Sequence, residues 1–251
     1  MATYVCSDIH GSFDLFKKML KKINFSSSDT LYIVGDILDK GPEPMKLVDY
    51  CMNNDNINLL MGNHELMFIK AYTEKNKESV WFSNGGFYTC QQFEELPGTQ
   101  QDDIFEYIQE LPVIIRHLYV ENREYYLSHA TYYPYSLNNF GDIITMSELG
   151  DDKTSDLLWA RDYPFYELTF TEAFQEHKKA ILIAGHTAGI NLYSLYKGNI
   201  SSPKGFIFHS HHGHYINTDC GLAYRNNPVK RFTPRLGFLR LEDRKEFYTE
   251  L

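Results

Sequence analysis

No two cysteines of this chain lie close together: Cys6, Cys51, Cys90 and Cys220 are scattered over 251 residues. That excludes a zinc-finger spacing and a small disulfide scaffold, and predicts reduced thiols in a cytoplasmic protein. Long apolar runs are also missing. The most apolar stretch, Ala180–Ile190, carries His186 and is too short to span a bilayer. The start, Met1 to Asp8, shows no basic segment followed by an apolar one, so no secretory signal is expected. An excess of basic residues is absent as well. Lys and Arg total 24 against 33 Asp and Glu, a net charge of −9, which disfavours nucleic acid and anionic membranes as partners. A small anionic substrate stays compatible with that balance, because a bound cation inverts the local field. No repeat, linker or low-complexity block breaks the chain, and residues 1–251 read as a single domain.

What is present suits a packed fold. Hydrophobic residues make up 43% and charged residues 23%, enough to build a sizeable core. The 10 His, 19 Tyr and 17 Phe point to metal chemistry and an aromatic core or lid. Tyr4–Cys6, Leu31–Val34 and Ile57–Met61 are β-prone runs, each followed by a polar loop and a helical period. Ser12 is expected to cap a helix carrying Phe13, Phe16, Leu20 and Ile23, and Pro44 to open one running to about Asn53. Three such units predict an α/β fold with most strands parallel. Helices are expected from His64 to about Lys75 and over Asp102–Leu111, with breaks at Gly85-Gly86 and Leu96-Pro97-Gly98. Strands are expected at Val113–Val120 and Glu124–Ser128, then a Tyr- and Asn-rich loop over 131–156. A helix around Thr171–Lys179 would feed a strand Ala180–Ala184. Gly205–Phe208, His214–Asn217 and Leu236–Leu241 are the last strand candidates.

The polar residues of interest fall where strands end. Asp8 and His10, Asp36, Asn63, His129 and His186 each follow an apolar β-prone run. The carboxyl edge of an α/β sheet is where sites form. A lone Asp-x-His is usually just a turn, but such groups at five strand ends are hard to obtain by chance. Two carboxylates, three imidazoles and one amide oxygen suffice for two metals if one carboxylate bridges them.

The segments Asp8-Ile9-His10-Gly11, Gly35-Asp36-Ile37-Leu38-Asp39-Lys40-Gly41, Gly62-Asn63-His64-Glu65, Ser128-His129-Ala130 and Gly185-His186-Thr187 occur in metallophosphoesterase order. The chain resembles the phosphoprotein phosphatase family in its compact phage and bacterial form. Tyr215 to Gly221 is similar to the family's late core strand and turn. The resemblance implies a sandwich of two mixed β-sheets flanked by helices, with a dinuclear metal site at the strand ends. It further implies that Asp8 and His10 hold one ion, that Asn63, His129 and His186 hold the other, and that Asp36 bridges them. Such a donor set suits Mn²⁺, with Fe or Zn²⁺ as alternatives, better than Ca²⁺. The ions would activate a bridging hydroxide for in-line attack on phosphorus. By the same resemblance His64 protonates the leaving oxygen, oriented by Asp39, although it could instead be a further ligand. Arg161, in Leu158-Trp159-Ala160-Arg161, is similar to the family's phosphate-binding arginine, and Asn63 and Lys40 would also face the phosphate.

Three departures stand out. Lys40 replaces the usual arginine and forfeits its planar fork, so it either points into the site as a single charge or turns to solvent. Ala130 and Thr131 follow His129 where the family usually has glycine. The run His209, His211, His212 and His214 is foreign to the family; an extra metal site and a solvent-facing connection are both open, and no role is assigned to it.

The reading is a metal-dependent phosphomonoesterase, a serine/threonine or dual-specificity protein phosphatase acting on phosphoprotein or small phosphoesters. Dinucleoside tetraphosphate hydrolysis is the related alternative. Asp39 argues against it, since symmetrical tetraphosphatases commonly lack that acid. Tyr132, Tyr133 and Tyr135 argue weakly for it if they stack a base rather than pack a lid. A nuclease would need a basic stripe that is not there. A non-catalytic metal- or partner-binding module would be expected to have lost a ligand or the acid, and none is lost.

Overall fold

The computed structural model describes residues 1–74, 78–132, 137, 139–161, 180–195, 206–210, 213–225 and 233–250. Two β-sheets face each other. The first holds β1 (Thr3–Cys6), β2 (Thr30–Ile33), β3 (Ile57–Leu59), β10 (Gly237–Arg240) and β11 (Glu246–Tyr248), in the order β11-β10-β1-β2-β3. The second holds β4 (Pro112–Val120), β5 (Arg123–Ser128), β6 (Ile143–Thr145), β7 (Ile181–Ala184), β8 (Phe208–His209) and β9 (Tyr215–Asn217), in the order β6-β4-β5-β7-β9-β8. Both sheets are mixed. β1-β2-β3 run parallel, as do β5-β7-β9, and the remaining neighbours are antiparallel. The expected two-sheet sandwich is what the chain forms.

Alternation along the strands sorts side chains between two cores. Val5 and Leu239, paired across β1 and β10, point between the sheets and meet Leu127, Ile183 and Ile216. Their neighbours Tyr4 and Cys6 point the other way, into the core shared with the helices. The Tyr125 hydroxyl crosses the sandwich to donate to the Leu241 carbonyl at 3.2 Å.

α1 (Phe13–Lys22) and α2 (Pro44–Met52) follow β1 and β2, while α3 (Asn63–Thr73) follows β3 directly. α4 (Glu78–Ser83), α5 (Phe87–Glu94) and α6 (Gly98–Gln109) complete the helical layer of the first half. Ser12 stands at the α1 cap position, but its hydroxyl donates to the His10 carbonyl at 3.2 Å instead of receiving a helix amide. α6 starts four residues earlier than the apolar period suggests, because Pro97 sets the entry and the first turn is polar. The expected loop over 131–156 is a correction: β6, α7 (Met146–Leu149) and α8 (Asp151–Trp159) lie within or run out of it. The Thr145 hydroxyl and Glu148 carboxylate form a capping box there. α9 (Gly189–Leu195) follows β7. The expected helix over 171–179 lies outside the described residues. No helix among the described residues is long and apolar enough to cross a membrane.

Candidate active site

Every parallel strand delivers a polar residue to the same rim. Asp8 and His10 follow β1, Asp36 follows β2, Asn63 opens α3 after β3, His129 follows β5 and His186 follows β7. The loops are laced by backbone bonds, Asp8 N to Gly35 O at 3.1 Å, His10 N to Asp36 O at 3.0 Å and Gly185 N to His129 O at 2.8 Å. Asp8, His10, Asp36, Asp39, Lys40 and His186 all take left-handed backbone, with φ between 46° and 66°. Non-glycine residues seldom adopt that conformation, and such clustering marks functional loops. Gly62 is required for another reason: a Cβ there would run into the Asp36 amide and carboxylate and Glu65 Oε2.

Two groups of ligand atoms converge on Asp36. In one, Nε2 of His10 and Nε2 of His64 each stand 3.8 Å from Asp36 Oδ2. In the other, His129 Nε2 is 3.4 Å from Asp36 Oδ1, and His186 completes the group. Asn63 Oδ1 joins this second group, 3.0 Å from His129 Nε2 and 2.9 Å from His186 Nδ1. All these residues are buried. Asp8 is buried beside them, its carboxylate accepting the His186 amide at 3.1 and 3.2 Å, and His64 is the third member of the first group.

The donor set fits two divalent cations. His10 Nδ1 lies 3.0 Å from the Leu38 carbonyl and His129 Nδ1 lies 2.9 Å from the Val34 carbonyl. Backbone bonds of this kind fix the tautomer and leave each Nε2 lone pair facing the cluster, the usual support for a ligating imidazole. His186 Nε2 is buried with no hydrogen-bond partner, a polar atom that needs something there.

The electrostatics show the same demand. Burial opposes the Asp36 anion, yet the His129 and His64 imidazoles overcome it and hold its carboxyl well below the usual range. Burial likewise pulls His129 down, but Asp36 and Asp8 reverse this and raise it to about 10. His186 is pushed to about 2 by burial, then by His129 and Arg161. Burial and the Asp219 carboxylate raise Asp8. The His129 and His186 rings lie 5.1 Å apart, so a charge on one disfavours a charge on the other.

The sequence reading overlooked Glu65 and Asp219. Glu65 Oε2 accepts the Asp36 and Gly62 amides at 2.8 Å each, and Oε1 accepts Ile37 and Leu38 at 3.0 and 3.1 Å. It lies within the segment Gly62-Asn63-His64-Glu65, but nothing in spacing shows a carboxylate holding four amides. Asp219 follows parallel β9 and so obeys the strand-end rule. It accepts the Gly221 amide at 2.8 Å, and burial raises it to about 6.

Lys40 is half-buried and turns inward, its Nζ 3.4 Å from His10 Nε2. Arg161 donates from Nη1 to the His186 carbonyl at 3.3 Å and to Thr187 Oγ1 at 3.2 Å, with Trp159 edge-on to the His186 ring. Tyr132 is buried against Tyr126, 5.1 Å between centroids, with its hydroxyl receiving Arg116 Nη1, so it packs rather than awaiting a base. Tyr133 and Tyr135 lie outside the described residues. His209 meets Glu246 at 2.7 Å and His214 meets the Ala180 carbonyl at 3.0 Å, in separate surroundings. His211 and His212 lie outside the described residues.

A two-sheet sandwich whose parallel strand ends gather acids, imidazoles and an amide around a shared carboxylate is the frame of a metal-dependent phosphoester hydrolase. The chain belongs to the calcineurin-like phosphoesterase family, which matches residues 1–239. It is 44% identical over 73 residues to the symmetrical bis(5'-nucleosyl)-tetraphosphatase of Delftia acidovorans, covering 28% of this chain and 26% of that protein. It is 32% identical over 150 residues to serine/threonine-protein phosphatase 2 of Escherichia coli, covering 58% and 65%. The chain thus spans less than two thirds of each of these relatives. In fold it is similar to a Saccharomyces cerevisiae protein serine/threonine phosphatase, with TM-score 0.61, 16% identity, and 99% of this chain and 79% of that one covered. A cold-active protein-tyrosine phosphatase from a Shewanella species gives TM-score 0.58 at 17% identity, covering 99% and 80%.

Two outcomes follow from the geometry. Glu65→Gln places an amide NH₂ against amide donors, and should cost about 2–4 kcal/mol in chemical denaturation while lowering bound metal. An unchanged denaturation midpoint would show that the four bonds do not carry the loop. The second concerns pH. His129 must be neutral to ligate, and Asp36 and Asp8 raise its pKa to about 10, which favours the imidazolium near neutral pH when no metal is bound. Metal uptake should therefore release about one proton or more near neutral pH, and affinity should rise with pH. Mn²⁺ titration in weakly buffered protein, followed with a pH indicator, measures this; no acidification would remove His129 from the ligand set.

Proposed function

We propose that this chain is a phosphomonoesterase acting on phosphoserine and phosphothreonine in proteins. One observation carries the reading: His64 Nδ1 stands 2.6 Å from Asp39 Oδ2 with both residues buried, and His64 Nε2 faces Asp36. Expelling a serine or threonine alkoxide requires a proton, and an imidazolium oriented by a carboxylate supplies it. Cleaving a dinucleoside polyphosphate expels a nucleotide phosphate, a far weaker base that needs little help. The built donor pair supports the first chemistry. The second reading, dinucleoside tetraphosphate hydrolysis, draws on the similarity to the Delftia enzyme over its matched segment.

Asp8, His10 and Asp36 would hold one divalent ion, and Asp36, Asn63, His129 and His186 the other. Mn²⁺ matches this mixture of oxygen and imidazole donors. Bound there, the pair of ions supplies Lewis-acid polarisation of the phosphoryl oxygens and a more acidic water. The side chains do the rest. Arg161 engages two phosphoryl oxygens with its fork and Lys40 adds a single positive charge. As the water oxygen bonds to phosphorus, the ester P–O bond breaks on the opposite side, and the proton on His64 Nε2 passes to the departing oxygen.

The deciding measurement is kcat/KM of the Mn²⁺-loaded protein on phosphoserine and phosphothreonine peptides against diadenosine tetraphosphate. Peptides should be preferred, and His64→Asn should lose about 10²–10⁴-fold on them with metal content retained. Preference for the dinucleotide would reverse the assignment, and loss of metal in His64→Asn would make His64 a ligand. Lys40→Ala should lower kcat/KM by about 1–3 kcal/mol of lost charge-assisted bonding, while Lys40→Arg keeps or improves it. A kinetically silent Lys40→Ala would strike Lys40 from the site.

A further inference from the structure

The Asp39 carboxylate receives more than His64. The Thr89 hydroxyl donates to Asp39 Oδ1 at 2.5 Å and accepts the Asp39 amide at 3.0 Å. The Trp81 indole N–H stands between both oxygens, 2.9 Å from Oδ2 and 3.1 Å from Oδ1. Asp39, Thr89 and Trp81 are all buried. These donors come from α4 and α5, 42 and 50 residues beyond Asp39 in sequence, so the contact is tertiary and no local turn requires it.

The hairpin that carries them is shaped for this contact. α4 ends at Ser83 and α5 starts at Phe87, with the Gly85-Gly86 pair between. Gly85 takes φ +102° and its carbonyl accepts the Lys40 amide at 3.2 Å, close enough that a Cβ would press on the Lys40 side chain. At Gly86 a Cβ would strike the Trp81 indole. The indole is fixed in turn by Phe68, edge-on at 5.7 Å, and by Phe82, stacked at 5.5 Å. Asp39 and Lys40 are consecutive left-handed residues, and the hairpin holds the amide of each.

We propose that Thr89 and Trp81 are positioning residues for proton delivery, acting through Asp39 on His64. A carboxylate bound to His64 alone could rotate about its Cβ–Cγ bond and lose the lone pair aimed at Nδ1. Donors on both oxygens fix that rotation, and a network of this kind aligns its members better than isolated pairs do. His64 is thereby held with Nε2 toward the departing oxygen. The proposal rests on the reading of His64 as proton donor, and it adds that the donor's alignment is set by the α4–α5 hairpin.

The test is dependence on the leaving group, measured on the Mn²⁺-loaded full chain with p-nitrophenyl phosphate, phenyl phosphate and a phosphoserine peptide. Thr89→Val, nearly isosteric, should lower kcat on the peptide and phenyl phosphate by about tenfold or more with KM nearly unchanged, and on p-nitrophenyl phosphate by about threefold or less. Thr89→Ser keeps the hydroxyl and should stay near wild type. Trp81→Phe removes the indole N–H while keeping a ring, and should follow Thr89→Val; it decides the matter if Thr89→Val does not fold. Equal losses on all substrates, or a Thr89→Ser no better than Thr89→Val, would mean that the two residues merely pack, and would overturn the proposal. His64→Asn measured alongside separates the two failures. If its loss depends on the leaving group while that of Thr89→Val and Trp81→Phe does not, only the positioning role falls. If its own loss is uniform, the donor reading falls and the positioning role with it.

Discussion

The Glu65 carboxylate, buried in the first turn of α3, is the contact on which the site depends. It gathers the amides of Asp36, Ile37 and Leu38 from the loop after β2 and that of Gly62 from the loop after β3. Those N–H dipoles answer its charge, as anions are answered at helix N-termini. The bond is reciprocal in effect: the His64 amide, from the same turn, donates to Asp36 Oδ1 at 3.0 Å. One helical turn thus grips Asp36 by its backbone and by its carboxylate. Asp36 belongs to both ligand groups, so whatever fixes Asp36 fixes the distance between them. Burial and the nearby Asp36 anion push the Glu65 pKa up, which is the cost of placing two acids together in the interior.

The two sheets contribute equally to the rim, three parallel strands from each, and the site closes only where their loops touch. The Asp8 carboxylate, from the first sheet, accepts the His186 amide of the second. His129 Nδ1, from the second, stands 2.9 Å from the Val34 carbonyl of the first. These contacts place imidazoles and acids from opposite sheets within bonding range and impose left-handed backbone on Asp8 and His186. Strain of about 1–3 kcal/mol per such residue persists only where the surroundings over-determine it, and here the sandwich does so.

Sequence legibility followed the length and regularity of the elements. β1, β2, β3, β5 and β7 are readable because apolar runs end in polar residues, and that rule leads to Asp8, His10, Asp36, Asn63, His129 and His186. It would have led to Asp219 had it been applied once more after Asn217. β6 and β11 have three residues each and, unlike the equally short β3, are not embedded in a longer apolar run. α8 hides because Asp151, Asp152, Lys153, Ser155 and Asp156 leave only Leu157, Leu158 and Thr154 to bury. That Gly237–Arg240 would lie antiparallel beside β1, at the centre of its sheet, follows from tertiary packing alone. Trp81 and Thr89 escaped for the same reason. The double glycine between them reads as a break in helical pattern, and only the fold shows that the break lets an indole and a hydroxyl reach Asp39.

The hairpin also joins two functions that the sequence reading kept apart. Its Gly85 carbonyl holds the Lys40 amide, and Lys40 turns its ammonium toward His10, while Trp81 and Thr89 hold Asp39. Under the proposed function, charge placed at the phosphoryl group and proton delivery to the leaving oxygen would therefore share one support. Substituting lysine for the family's usual arginine loosens the first of these, since a flexible stem with one charge defines position less well than a planar fork. The second keeps its full complement of buried donors. On the proposed reading, a site altered in this direction would depend more on metal and Arg161 to fix the phosphate, and would retain its means of expelling a strongly basic oxygen.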